Sequence, residues 1–214
     1  MLQVDKLGIY LSKPISILLV LIYLLQSGLL ILLIRDRFDL QRQINFQQRR
    51  IVELEERLQI LRAIEDFQIG FTEEEVLELT DVVYRESKKY RYDPMFVLAI
   101  IQTESSFKRR QTSPAGAEGL MQLMPWVAHD LAQKYGLDHG DEDFLFDPGT
   151  NIQLGTAHLF RQILKFGDVE KAIVAYNVGG TRLRGLIRKG ERLPRRYLEK
   201  VVENYKRLKE DYSA

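Results

Sequence analysis

Residues 93–107 read DPMFVLAIIQTESSF. Asp93 is a good N-cap, and Pro94 suits the first helical position, where its missing N–H would have no partner in any case. From Phe96 to Ile101 the run is apolar on every side. A helix with no polar face is buried all round, so this stretch is predicted to be the central helix of a helical core. Polar residues return only at Gln102, Thr103 and Glu104. One carboxylate therefore stands at the C-terminal end of a buried helix. Desolvation and the negative end of the helix dipole both disfavour its charged form. Both raise its pKa, which suits a general acid working near neutral pH. The competing reading is a surface ion pair of Glu104 with Lys108 or Arg109, one turn further on.

Outward from this helix the pattern stays helical. Thr72 and Glu75 form a capping box before an amphipathic stretch that ends near Lys89. Further helices are predicted at 126–135, 150–166, 168–176 and 195–210. No stretch shows period-2 alternation bounded by hairpin turns. The expected fold class is all-α, with a small irregular β element in the 112–124 loop. Gly70 opens this globular part, which is taken as residues 70–214.

The N-terminal third is different. After a short segment, 1–14, residues 15–34 read ISILLVLIYLLQSGLLILLI, twenty residues without a charge. That is the length needed to cross a bilayer, and no A-x-A-like cleavage site follows, so it is read as an uncleaved transmembrane anchor. Arg35, Arg37 and Arg42 follow it closely, against Lys6 and Lys13 before it, and charge alone leaves the topology open. Residues 35–69 carry seven basic and seven acidic side chains and no Gly or Pro. They are read as a helical stalk, about 50 Å long if straight. Ile51, Leu54, Leu58 and Leu61 follow a 3-4-3 spacing. Two readings fit that spacing: a short coiled-coil seam able to self-associate, or an amphipathic helix lying on the globular part or on the membrane.

The chain has 214 residues with 31 basic and 30 acidic side chains, a net charge of +1, which gives no overall electrostatic case for nucleic acid. It has no cysteine, so disulfides and thiolate metal sites are excluded. His129, His139 and His158 lack the spacing of a helical metal site. Asp138, Asp141, Glu142 and Asp143 read as a solvated acidic loop that does not fit the EF-hand ligand pattern. A basic cluster, Arg182, Arg184, Arg188, Lys189, Arg192, Arg195 and Arg196, is opposed in sequence by Glu191 alone. Charge runs of this kind are usually solvated faces. The functional alternatives are an acidic peptide or an anionic lipid surface.

After Glu104 the chain reads SPAGAEGLMQLMP at 113–125. Gly116 and Gly119 let backbone pass close to a ligand, Gln122 offers donor and acceptor to an amide, and Met121 and Met124 give adaptable apolar surface. Glu104-Ser105, this glycine-methionine stretch, DPGTNIQLG at 147–155 and AYN at 175–177 occur in the order of the soluble lytic transglycosylases, and over about 72–205 the chain resembles that family. The resemblance implies a lysozyme-like fold shared with goose-type lysozymes, and it is carried over residue by residue. Glu104 matches the catalytic acid/base, Ser105 follows it and shapes the site, and Ser113 and Gln122 match polar residues of the glycan cleft. Met124 matches a cleft-lining methionine, Tyr176 and Asn177 match the AYN motif with the tyrosine hydroxyl near the glutamate, and Tyr197 matches a late tyrosine. The chain departs from the family at AYNVGGT, where AYN-A-G-P-G is common, at Leu193-Pro194-Arg195-Arg196 and at His158.

Ordinary glycosidases need two carboxylates, and no convincing second one is found, Glu118 being a weak candidate. The resembled mechanism needs one. It implies a membrane-anchored lytic transglycosylase acting on peptidoglycan outside a bacterial cytoplasmic membrane, with no metal or organic cofactor. The alternatives are a lysozyme-type hydrolase and a non-catalytic glycan-binding scaffold.

Overall fold

The computed structural model describes residues 13–67, 70–137 and 143–212. The chain forms two compact units, Met1–Glu53 and Leu54–Ala214. In the described residues of the first, a single helix, α1 (Lys13–Phe67), carries an apolar stretch long enough to cross a membrane, and its large apolar side chains are exposed.

The second unit begins inside α1. It continues with α2 (Glu73–Tyr90), α3 (Pro94–Glu104), α4 (Pro125–Tyr135), a short 3-10 turn (Phe144–Phe146), α5 (Pro148–Phe166), α6 (Val169–Val178), α7 (Gly180–Lys189) and α8 (Arg196–Tyr212). No β-strand occurs among the described residues, and the fold is all-α. The 105–124 loop holds two isolated bridges, Thr112 with Glu118 and Glu118 with Leu123, which are the small irregular β element expected there. The predicted helix starts rest on the predicted caps. Thr72 Oγ1 accepts from the Glu75 N–H at 3.2 Å, and Glu75 Oε2 accepts from the Thr72 N–H at 2.9 Å. Asp93 caps α3 through the Met95 N–H at 2.9 Å, with Pro94 in the first turn.

α3 lies at the centre as its composition requires: Met95 and every residue from Val97 to Ile101 are buried. It packs against α8 and α2, while α5 packs against α2, α4 and α6. Each Leu or Ile so buried contributes about 1.5–3 kcal/mol, so this helix holds the unit together and its end is a rigid place for a functional group. A smaller cluster, with Leu123, Val127, Leu131, Leu145 and Leu154, supports the glycine-methionine loop.

Two features differ from the sequence reading. α7 is a helix where no helix was predicted, because Gly179, Gly180 and Gly185 argue against one locally; burial of Leu183 against the core overrides that propensity. In α1 the core-facing side chains are Ile60, Ala63 and Ile64, with Phe67 packed beside them, whereas Ile51, Leu54 and Leu58 of the heptad-like stripe are exposed. Leu61, the last residue of that stripe, packs against the core beside them, so the end of this helix lies on the globular unit by a face that shares only Leu61 with the one the spacing singled out.

Candidate active site

Glu104 ends α3, and its carboxylate meets one hydrogen-bonding side chain: Tyr197 donates its hydroxyl to Oε1 at 2.6 Å. Burial pushes the Glu104 pKa up from 4.5 to about 7, and the Tyr197 hydrogen bond and the Lys200 charge oppose that rise without cancelling it. Arg109, one of the two competing partners, pairs with Glu75 at 2.5 Å instead, and no ion pair of Glu104 with Lys108 occurs among the described residues. Tyr197 lies in the first turn of α8, 93 residues on in sequence. Its position follows from how α8 is fastened to α3. Asn204 donates to Thr103 Oγ1 at 2.9 Å, Tyr205 donates to Asp93 Oδ2 at 2.9 Å, and Lys209 pairs with Asp93 at 3.1 Å. Burial first, and the Glu104 charge second, hold the Tyr197 pKa well above the ordinary phenol value, so it stays a donor.

After Glu104 the chain turns sharply. Ser105 is buried, and both its N–H (3.0 Å) and its hydroxyl (3.2 Å) return to the Ile101 carbonyl. Ser106 and Phe107 take positive φ values of 52° and 60°, uncommon for side-chain-bearing residues and held here by complete burial of Phe107, which stacks on Phe67 at 5.8 Å. Ser113 braces the loop rather than standing free: its Oγ accepts from the Ala117 N–H at 2.9 Å.

Gln122, also at positive φ, donates both amide hydrogens inward, to Gln111 O at 2.9 Å and Gly119 O at 2.8 Å. The expectation that it offers donor and acceptor is corrected here: its Oε1 remains, as an acceptor. Tyr176 lies near Glu104 without bonding to it. Its hydroxyl donates to the Met121 carbonyl at 2.8 Å, and the hydroxyl bonded to Glu104 is that of Tyr197. Tyr176 still lies within electrostatic range of Glu104. Gln122, Met124, Tyr176 and Asn177 come together on the wall of one cleft of about 570 Å³, with Trp126, His158, Arg161, Gln162 and Lys165 further along it.

One residue that the sequence reading quoted without a role organises the loop. Asn151 is fully buried; its Oδ1 accepts from the Met121 N–H at 2.7 Å, and its Nδ2 donates to Glu118 O at 3.0 Å and Leu145 O at 2.9 Å. Gly119 and Gly155 are required by the same packing. A Cβ on Gly119 would lie 2.1 Å from Asn151 Nδ2, and one on Gly155 would lie 2.4 Å from Met121 Sδ. The signal was present in α5, where Asn151, Gly155, His158 and Gln162 recur at helical spacing on the buried face.

His129 packs against Phe144 at 5.1 Å. His158 is buried edge-on to Tyr176, and burial together with nearby Arg161 and Lys165 lowers its pKa to about 4. Glu118 enters the loop through backbone bonds to Leu123. Of the acidic loop, Asp138, Asp141 and Glu142 lie outside the described residues, as does His139, and Asp143 pairs with Arg110 at 2.5 Å. In the basic cluster the fold supplies more acid than sequence proximity does: Arg195 lies 3.8 Å from Glu170 and 3.9 Å from Glu199, and Lys189 3.6 Å from Glu191.

Known proteins share parts of this sequence and fold. The transglycosylase of Enterobacteria phage PRD1 is 40% identical over 105 residues, which span 49% of this chain and 36% of the relative. The soluble lytic murein transglycosylase of Salmonella typhimurium is 33% identical over 110 residues, 50% of this chain and 17% of the relative. The membrane-bound lytic murein transglycosylase C of Edwardsiella ictaluri is 38% identical over 109 residues, 46% of this chain and 30% of the relative. The chain thus spans only a minor part of the length of these relatives. Among solved structures, an inactive mutant of the lytic transglycosylase Slt from Pseudomonas aeruginosa superposes with a TM-score of 0.55 at 28% identity, over 61% of this chain and 24% of the other. The 70 kDa soluble lytic transglycosylase of Escherichia coli does so with a TM-score of 0.50 at 27% identity, over 69% of this chain and 24% of the other. The transglycosylase SLT domain model matches residues 81–198, more than half of the chain and all of the cleft just described, and the chain belongs to that family.

Proposed function

We propose that this chain is a membrane-anchored lytic transglycosylase that cleaves the β-1,4 bond between N-acetylmuramic acid and N-acetylglucosamine in peptidoglycan. The observation that carries the reading is Glu104: a carboxyl at the end of a buried helix, with its pKa raised to about 7 and held by Tyr197. A pKa near 7 keeps a large share of the carboxyl protonated at neutral pH, as a general acid needs.

Glu104 gives its proton to the glycosidic oxygen as the C1–O4 bond breaks. The muramoyl N-acetyl group stabilises the cationic C1. The Glu104 carboxylate then takes the proton of the muramoyl 6-hydroxyl as that oxygen bonds to C1. The product is a 1,6-anhydro end, no water is consumed and Glu104 is reset. One carboxylate suffices because the substrate supplies the second group. Tyr197 orients the carboxyl, Gln122 Oε1 accepts from a substrate N–H or O–H, and Met124, Tyr176 and Asn177 line the cleft. Ser105 and Ser113 act by holding the loop. The solved Pseudomonas aeruginosa relative is described as an inactive glutamate-to-glutamine mutant, which fits such dependence on one carboxyl. Residues 15–34 anchor the chain in the cytoplasmic membrane with the cleft on the outer side, where the polymer lies, and the exposed stripe of Ile51, Leu54 and Leu58 serves self-association.

The test is mass spectrometry of the soluble products from peptidoglycan sacculi incubated with the detergent-solubilised chain. Anhydromuramoyl ends are expected. Reducing ends would make the enzyme a hydrolase, and bound but uncut sacculi would make it a glycan-binding scaffold.

A further inference from the structure

α1, the helix that carries the apolar stretch, ends at Phe67 beside the turn that follows Glu104. The Phe67 ring is stacked on that of Phe107, with centroids 5.8 Å apart and planes 9° from parallel. It meets Tyr212 edge-on at 6.4 Å, and the Arg207 guanidinium lies 5.6 Å from its centroid. The neighbouring Asp66 accepts from the Tyr212 hydroxyl at 2.6 Å. One side chain thus bridges the turn after α3 and the last turns of α8. Those two helices supply Glu104 and Tyr197, whose 2.6 Å hydrogen bond holds the acid.

The turn needs such a support. Ser106 and Phe107 have φ values of 52° and 60°, in a region that side-chain-bearing residues rarely occupy. Two strained residues in succession persist only where the surrounding packing over-determines them. Part of the hold is local: the Ser105 hydroxyl donates to Ile101 O at 3.2 Å and the Ser106 hydroxyl to Gln102 O at 3.3 Å. The rest is Phe107, buried in the same core cluster as Ile60, Ala63 and Ile64 of α1. Two residues on, Arg109 pairs with Glu75 at 2.5 Å and lies over the Phe71 ring. The turn is therefore clamped from the end of α1 and from the start of α2, both outside the segment 81–198 that the family model matches.

We propose that Phe67 is a positioning residue for Glu104: stacked on Phe107, it holds the turn at the end of α3 in its left-handed form and so keeps water from the carboxyl. The inference rests on the proposed function and adds to it a residue of the anchor-bearing helix. The titratable groups in electrostatic range of Glu104 are Tyr197 and Lys200 of α8 and Tyr176 of α6. The charges beside Phe67, those of Arg207 and Asp66, are not among the groups that set the Glu104 pKa. Removing the ring therefore changes the hydration of Glu104 rather than the charge around it, and burial is the leading cause of its raised pKa. The loop that lines the cleft is held separately, by Asn151 of α5 bonded to Met121 and Glu118. Loss of the ring should thus act on kcat far more than on KM.

The test uses the full chain in detergent, acting on solubilised glycan strands, with Phe67→Ala, Phe67→Leu and Phe67→Tyr. Phe67→Ala should lower kcat about tenfold, as a small misplacement of the acid does, with KM within about twofold of the parent. Glu104 must be protonated to act, so the alkaline limb of the kcat profile follows its pKa and should move from about 7 toward 4.5. Phe67→Tyr keeps the stack and should leave both unchanged. Phe67→Leu keeps apolar bulk without the ring; it should show the same changes in smaller measure, and it decides the matter if Phe67→Ala does not fold. An unmoved alkaline limb in folded Phe67→Leu, or a Phe67→Tyr chain as impaired as Phe67→Ala, overturns the proposal. A second readout needs no turnover: carbon NMR of carboxyl-labelled glutamate, with Glu104→Gln identifying the resonance, should show Glu104 titrating at lower pH in Phe67→Leu. If the parent releases nothing from glycan strands while that shift occurs, the proposed activity fails and the positioning of Glu104 by Phe67 stands. If the parent is active and the titration does not shift, the activity stands and this inference fails.

Discussion

The surroundings of Glu104 and the cleft wall beside α7 are built in opposite ways. Around Glu104 and the loop after it the protein supplies partners: Tyr197 holds the carboxyl, Asn151 makes two hydrogen bonds to the loop and one to the 3-10 turn, and both Gln122 donors are used. At the α7 end, the buried Gln162 Oε1 has no hydrogen-bond partner, and the first turn of the helix has neither a capping side chain nor an acidic residue. The difference separates the jobs. A group that transfers a proton must be held still before the substrate arrives, whereas a group that selects a substrate is completed by it.

The sharpest break is Glu104→Gln. The amide keeps a hydrogen-bonding shape but has no proton to give, and turnover of sacculi should fall by about 10³-fold. The same variant tests the burial of the carboxyl. The folded pKa of about 7 lies above the ordinary 4.5, so folding favours the protonated form. Wild-type stability should therefore be highest below pH 4.5 and decline as pH rises from 4.5 through 7, with the loss complete above 7. Glu104→Gln removes this contribution, and its melting temperature should gain on the wild type across that window. A parallel pair of stability curves would show that the carboxyl titrates normally.

Next in size is Asn151→Ala, which strips three hydrogen bonds from a buried loop and leaves the Met121 N–H and two carbonyls without partners. A loss of about 3 kcal/mol in denaturant unfolding is expected. An unchanged midpoint would mean that the loop is held elsewhere. Tyr197→Phe sharpens the account of the acid. The tyrosine hydroxyl lowers the Glu104 pKa, so its removal should move the alkaline limb of the activity profile to higher pH, together with a lower kcat. Smallest is Gly180→Ala at the other end. The atoms its Cβ would meet are the ends of flexible side chains, so unfolding should change by no more than about 1 kcal/mol. A large destabilisation would mean that the α7 end is as rigidly packed as the Glu104 end.

How much of this was legible can be read residue by residue. α3 was legible because its signals are local: a cap, a proline and an apolar run that has nowhere to go but the core. The same holds for Glu104, whose raised pKa follows from its place at the end of that run, and for the family membership, which rests on contiguous motifs. α7 was not, because its glycines oppose a helix locally and only the buried Leu183 decides the matter. The spacing of Ile51, Leu54 and Leu58 was legible as an apolar stripe, but which face of α1 enters the core was not. Ile60, Ala63 and Ile64 have an equally good helical spacing, and only the partner surface distinguishes the two.

The sequence by itself determined the all-α class, the starts of the capped helices and the place of Glu104 at the end of a buried run, since capping, periodicity and burial of an apolar run act over a few neighbouring residues. The tertiary structure alone decided which tyrosine serves that acid. Tyr176 and Tyr197 both belong to plausible motifs, but the hydrogen bond to Glu104 crosses 93 residues and depends on how α8 lies along α3. It also decided where the unpaired cations gather. Charge in sequence shows a basic run, and the fold pairs one of its members, Arg195, with both Glu170 and Glu199. The same fold brings Lys165 to the start of α7, with the like charges of Arg184 and Arg161 acting on it. Such pairings depend on distances of a few ångströms between residues far apart in the chain, which no local pattern encodes.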